Sequence, residues 1–387
     1  MPPTQRSQGP LYLDSPEAAD RFLRSIAGVP IVAIDTEGAS FHRYVDRIYL
    51  LQLSTADRHA IIDPLKVDVP GPLGTLLEKR DVEVVFHDAD YDLRLLYQDY
   101  GWHATNVFDT RIAAQLLGIR TFGLAALLES FFGVKLDKKH QRADWSMRPL
   151  PREMLDYAAQ DTMHLLPLRD RLTEALEKKG RLSWAREEFE RLEGTRWEED
   201  DPGQSFLRLK GARDLTRREL AVLRELVAWR DEVARQLDRS TFRVAGNEVL
   251  LNLARRAPQE MEELAKTKGL SRNLIARSGD GLLEAIARGR AVPESELPRF
   301  PRAPRWARDP DYENRVSRLR TVRDRVAVKL DLDPGVLCPR ERLEAIARKH
   351  PGSIDELRDV PDLRQWQIEV LGDDLLRALR DGSPTKS

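Results

Sequence analysis

Apolar and polar positions alternate along this chain in two distinct periods. Residues up to about 190 mix short apolar runs with longer amphipathic stretches. The runs Ile31 to Asp35, Ile48 to Leu53, His59 to Ile62 and Glu83 to His87 are short and rich in branched residues, which predicts buried strands. Apolar residues at helical spacing predict helices over Pro16 to Ile26, Asp90 to Tyr97, Asp109 to Leu117, Phe122 to Phe132, Arg152 to Lys178 and Trp184 to Leu192. Asp109 is suited to cap the helix after it, and Asp88 or Asp90 to cap the helix around Leu93. Strands followed by mostly helices predict an α/β domain with a mixed sheet.

The remainder reads as helical. Thr216-Arg217-Arg218-Glu219 is a capping box, and it opens a helix with Leu220, Leu223, Val227 and Leu237 on or near one face. Polar Glu198 to Gly203 and proline-rich Ala291 to Pro310 read as linkers. A shift of 93 residues superposes two C-terminal segments without a gap. Glu248 then meets Glu341, Ala254-Arg255 meets Ala347-Arg348, Pro258 meets Pro351, Gly279-Asp280 meets Gly372-Asp373 and Leu282-Leu283 meets Leu375-Leu376. Leucines alone would match by shared helical pattern; glycines and prolines in register indicate a duplicated small domain. The divisions expected are 1–197, a linker 198–209, 210–290, a proline-rich linker 291–310, and 311–383.

Composition adds little until it is divided. Of 387 residues, 33% are charged, yet the formal net charge is only -1. Residues 1–200 hold 33 acids and 26 bases, whereas the rest hold 31 acids and 37 bases. An acidic front and a basic back suit a metal-using domain followed by domains that meet a polyanion. Cys338 is the only cysteine, which excludes an internal disulfide and a cysteine-rich zinc site and fits a reducing compartment. Neither a secretory signal nor a membrane-spanning apolar stretch is visible, so a cytoplasmic protein is expected.

The candidate chemistry lies where the first strand ends. Asp35 and Glu37 are two apart, so their carboxylates share one face of the strand. Partly desolvated at 4 Å, two such charges repel by roughly 4 kcal/mol at an effective dielectric near 20. A hard divalent cation held by oxygen ligands relieves that repulsion, although cap residues and solvated loop acids also read this way. Downstream, Asp92 follows Tyr91 inside a helix start, and Tyr157 and Asp161 are i and i+4 on one helix face with Ala158 and Ala159 between them.

In this order the pattern resembles the DEDD exonuclease superfamily, in its tyrosine branch. Ile34 to Glu37, Ile48 to Leu53, His87 to Leu93, Phe108 to Thr110 and Asp144 to Leu150 sharpen the resemblance to the ribonuclease D family. The duplicated segments look like the HRDC domains that follow the nuclease in that family. One departure is that many relatives carry an asparagine upstream of the second-motif aspartate, where this chain has Asp88 and Asp90. The resemblance implies a ribonuclease H-like exonuclease domain followed by two all-α HRDC domains. It further implies that Asp35, Glu37, Asp92 and Asp161 hold two Mg²⁺ or Mn²⁺ ions and that Tyr157 orients the attacking water. Thr36 and His87 are candidate substrate contacts. The implied activity is 3′-to-5′ trimming of structured RNA precursors, tRNA above all, with release of nucleoside 5′-monophosphates. A DNA exonuclease and an inert nucleic-acid-binding adaptor are the competing readings.

Overall fold

The computed structural model of the protein describes residues 10–137, 139–198, 201, 203–301 and 309–380. Part of each expected linker, at 199, 200, 202 and 302–308, and the end of the last expected domain therefore lie outside the described residues.

Six strands form one mixed sheet: β1 (Leu11–Leu13), β2 (Ile31–Glu37), β3 (Leu50–Ser54), β4 (His59–Ile62), β5 (Glu83–Phe86) and β6 (Val107–Asp109). Their spatial order is β1-β4-β3-β2-β5-β6. Strand β2 lies inside the sheet, antiparallel to β3 and parallel to β5. Val32, Ala33 and Ile34 are fully buried because both faces of the sheet are covered. Val32 and Ile34 pack with Leu23, Leu73 and Leu96 on one face. On the other, Ala33 packs with Val85, Phe108 and Leu168.

The four strands expected from apolar runs are present, and two short edge strands, β1 and β6, join them. One expectation is corrected. Arg152 to Lys178 is not a single helix but two, Arg152–Met163 and Leu165–Lys178, broken at His164. Pro167 is the cause: it has no N–H for the carbonyl of residue 163, and its ring crowds that same carbonyl. A second correction concerns the helix bearing Asp92, Asp90–Tyr100. Neither Asp88 nor Asp90 caps it. Asp109 does more than cap its own helix: its carboxylate accepts from Arg111 and Ile112 and also from the backbone N–H of Ala89 at 2.7 Å and of Asp88 at 3.3 Å. Asp88 pairs instead with Arg111, and Asp90 with Arg94.

Two helical repeats follow. The capping box at Thr216 forms as expected and opens the helix Arg217–Gln236. Leu220, Leu223 and Val227 are buried there, but Leu237 sits beyond the last turn and is exposed. The matching glycines now have a physical reason. A Cβ on Gly279 would lie 2.7 Å from Met261, and one on Gly372 would lie 2.7 Å from Ile354. Met261 and Ile354 are themselves 93 positions apart, so both copies cross a short helix over a glycine at the same place. Both also turn through left-handed backbone at equivalent residues, Asp238 and Asp331 and then Ala257 and His350.

The two copies meet the nuclease half differently. Around the first, Leu220 to Ile286 form a separate core. Its contacts with the sheet domain include several polar ones. Asp238 accepts from Arg43 at 2.9 Å and from the backbone of Tyr44 at 3.3 Å, and Tyr44 donates to Asp231 at 2.7 Å. The second shares one continuous core with the helices beside the sheet, including Leu319, Leu343, Trp366 and Leu375. Trp366 stacks on Trp184 at 4.9 Å, and its indole N–H donates to Glu188 at 3.0 Å.

Candidate metal centre and exoribonuclease cleft

Strand alternation decides how the acids converge. Asp35 and Glu37 project from β2 toward the face covered by the helix Arg152–Met163, which brings Tyr157 and Asp161 to the same place. Ala158 and Ala159, both buried, let that helix lie close against Tyr49, Leu50 and Ile61. Carboxylate oxygens of Asp35, Glu37 and Asp161 lie within 4.8 Å of one another. They open into a cleft of about 630 Å³ also lined by Thr36, His87 and Tyr157.

Asp92 arrives from the other side of the sheet. Thr36 points that way, and Asp92 Oδ1 accepts from its backbone N–H at 2.9 Å and its hydroxyl at 2.6 Å. Asp92 therefore stands outside the three-acid group, yet its charge still raises the proton affinity of Asp35 and Glu37. Thr36 has both donors on Asp92, so it holds an acid rather than offering a free N–H to the cleft.

The electrostatics are those of carboxylates crowded together in a desolvated place. Burial, and then the neighbouring carboxylates, push Asp35 and Glu37 well above the ordinary carboxylate range. Burial raises Asp92 and Asp161 to about 7. No Lys or Arg pairs with Asp35, Glu37, Asp92 or Asp161 in the ion pairs found among the described residues, whereas buried Asp63 has Arg148. Oxygen-only ligands, close spacing and missing cationic partners fit a hard divalent ion.

The loop 144–150 supports Tyr157 from behind. Trp145 is buried and stacks on the Tyr157 ring at 6.1 Å. Arg148 fixes that loop to the sheet. It donates twice to buried Asp63, at 2.6 and 2.7 Å, and to the carbonyls of Tyr49 and Trp145 at 2.7 Å each. Burial and the nearby carboxylates push the Tyr157 phenol upward, so it keeps its proton throughout the neutral range.

Comparison with known proteins places this geometry. Residues 11–177 match the 3′-5′ exonuclease family model, and 219–286 and 313–379 each match the HRDC domain. The chain is 32% identical to ribonuclease D of Gluconacetobacter diazotrophicus, over 96% of this chain and 93% of that one. It is 33% identical to ribonuclease D of Granulibacter bethesdensis, over 97% and 94%. The chain belongs to the ribonuclease D family. Among solved structures it resembles Escherichia coli RNase D, an exoribonuclease involved in structured RNA processing, with a TM-score of 0.75 at 26% identity, covering 97% of this chain and all of that one. It also resembles the catalytic core of RRP6 from Trypanosoma brucei, with a TM-score of 0.65 at 31% identity over 74% of this chain and 81% of that one.

As a ribonuclease D family member the chain is a 3′-5′ exoribonuclease, with HRDC domains that bind nucleic acid. Within the described residues, no helix is long and apolar enough to cross a membrane. The residues' roles follow from their geometry. His87 is one case. Its Nδ1 lies 2.9 Å from Thr110 Oγ1, and that hydroxyl donates to the Phe86 carbonyl at 3.1 Å. Thr110 has only one proton, so Nδ1 carries the hydrogen and Nε2 is an acceptor. Burial lowers the imidazole to about 4, so it is neutral near pH 7 and not a cationic phosphate anchor.

Trp145, Arg148 and Asp63 were not singled out as site residues from the sequence. The signal available was the Asp144 to Leu150 stretch, in which a tryptophan and an arginine sit three apart in a polar, proline-containing loop.

Proposed function

We propose that this enzyme trims the 3′ ends of structured RNA precursors, tRNA above all, releasing nucleoside 5′-monophosphates. The observation that carries the proposal is the convergence of Asp35, Glu37 and Asp161 on one small oxygen-lined volume at the floor of an open cleft. We assign these three acids, with Asp92 alongside, to two Mg²⁺ or Mn²⁺ ions. Bound there, the ions supply charge neutralisation, polarisation of the phosphate and a lowered pKa for the attacking water.

The protein's own groups do the rest. Asp35 and Glu37 are held rigidly by the β2–β3 ladder, opposite Gln52 and Leu50. Thr36 holds Asp92. Tyr157, protonated and braced by Trp145, donates to or accepts from the attacking water and sets its direction; with its pKa raised, it is a positioning group and not the base. Neutral His87 presents Nε2 to the cleft as an acceptor, which suits a ribose hydroxyl of the terminal nucleotide. Tyr157→Phe is expected to slow turnover by about ten- to a hundredfold while Mn²⁺ affinity, measured by calorimetry, stays near that of the native protein. Equal loss of metal affinity would assign Tyr157 to the metal centre instead.

We further assign residues 1–197 to the nuclease, 210–290 and 311–383 to the two HRDC domains, and the enzyme to the cytoplasm. The functional test is a digestion time course on a 3′-extended tRNA transcript, with matched RNA and DNA oligonucleotides, with Mg²⁺ and with EDTA. Stepwise 5′-mononucleotide release from RNA, stopped by EDTA, is expected. Preference for DNA would make it a DNA exonuclease, and no release in any condition would make it a binding adaptor.

A further inference from the structure

The segment after Glu37 leaves the metal centre, forms the rim of the cleft and then docks on the first HRDC repeat. Phe41 and Arg142 both line the cleft. Phe41 is 47% exposed, and it meets Phe242 of the HRDC repeat edge to face at 5.8 Å. Phe242 is itself 51% exposed. Two rings brought together only to seal an interface would bury most of their surface; these leave about half of it open to water at the mouth of a nucleic-acid cleft.

Charge surrounds the pair. The Arg142 guanidinium lies over the Phe41 ring, 5.4 Å from its centre. Arg239 and Arg243, on the same turn as Phe242, are exposed. In the ion pairs found among the described residues, none of the three guanidiniums has a carboxylate partner. The turn carrying them is fastened to the rim. Ser240, within it, donates to the backbone carbonyls of Ser40 and Arg43, and Asp238 holds Arg43. Aromatic faces beside uncompensated cations are the combination that holds single-stranded nucleic acid, by base stacking and phosphate contact, without reading sequence.

We propose that Phe41 and Phe242, flanked by Arg142, Arg239 and Arg243, form a stacking site for the bases immediately 5′ of the terminal nucleotide. This deepens the exoribonuclease reading and rests on it. The first HRDC repeat thus forms one wall of the substrate channel, and the enzyme engages a 3′ end only when a short unpaired stretch reaches the rim.

The test compares Phe242→Leu, which keeps apolar contact but has no aromatic face, with Phe242→Tyr and with Arg243→Glu. Affinity for a fluorescent single-stranded RNA pentamer is measured in Ca²⁺, and KM and kcat on the pentamer and on a dinucleotide in Mg²⁺. Phe242→Leu is expected to weaken pentamer binding about tenfold and to raise its KM likewise, reducing the preference for pentamer over dinucleotide, with kcat little changed. Phe242→Tyr restores it, and Arg243→Glu weakens binding more strongly at low salt than at high salt. The proposal is overturned if Phe242→Leu and native enzyme bind the pentamer alike, if tyrosine and leucine are equally impaired, or if both substrates suffer equally. Arg243 is on the surface, so its variant decides the question should Phe242→Leu fail to fold. Failure of the native enzyme to release nucleotides from RNA would sink the functional reading itself, whereas native trimming with unaltered variants would remove only the stacking site.

Discussion

Asp35→Asn is expected to lower single-turnover cleavage of RNA by at least about a thousandfold, because a ligand carboxylate contributes several kcal/mol of charge stabilisation through the ions it holds. Folding should survive. Asp35 is the acid on which burial and three neighbouring carboxylates act together, so its ionised form is unfavourable in the metal-free protein. Asparagine is nearly isosteric and stays neutral. Calorimetry in EDTA at pH 8 should therefore find the variant melting at or above the native temperature, even as activity vanishes. A variant that melts well below the native protein would show that Asp35 supports the fold and not the reaction.

Removal of divalent ions should have the second large effect, and its pH dependence has a definite sign. Asp92 and Asp161 rise to about 7, and Asp35 and Glu37 rise in the same direction. In the unfolded chain these groups ionise near pH 4. Between about 4 and 7 the native state thus binds more protons than the unfolded state, and stability falls as pH rises through that window. The metal-free protein should be more stable near pH 5 than near pH 8. Adding Mg²⁺ at pH 8 should restore stability by about 2.7 kcal/mol at a hundred times its dissociation constant. Binding near pH 6.5 should release protons, detected as a calorimetric heat that changes with the buffer's ionisation enthalpy. A metal-free protein whose stability rises from pH 5 to pH 8 would contradict the shared, desolvated site.

Much of this was legible in the sequence because it depends on local periodicity. Period two put Asp35 and Glu37 on one face, a four-residue step put Tyr157 above Asp161, and the capping box at Thr216 formed as written. The misses have a different origin. Pro167 divided a stretch whose apolar period was continuous. Strands β1 and β6 are three residues each and exist because neighbours pair with them. Asp109 capped two segments at once, which needs residues 20 apart in sequence to meet. Asp92 was expected among the ligands on motif order; only the sheet's two faces reveal that Thr36 holds it beside the three-acid group and not within it. The anchoring of Arg148 on Asp63, which fixes the loop behind Tyr157, likewise spans 85 positions and leaves no periodic trace.

The continuous core beneath the second HRDC repeat bears on the order of events during synthesis. A ribosome delivers the sheet and its helices first, but the outer side of the helix Leu182–Leu192 is completed only by Trp366 and its neighbours. The nascent nuclease must carry that side uncovered for nearly two hundred residues of elongation, while the intervening repeat, with a core of its own, can fold at once. The helix Gln365–Arg380 is thus the one that finishes the first domain, long after that domain's own strands and helices have emerged.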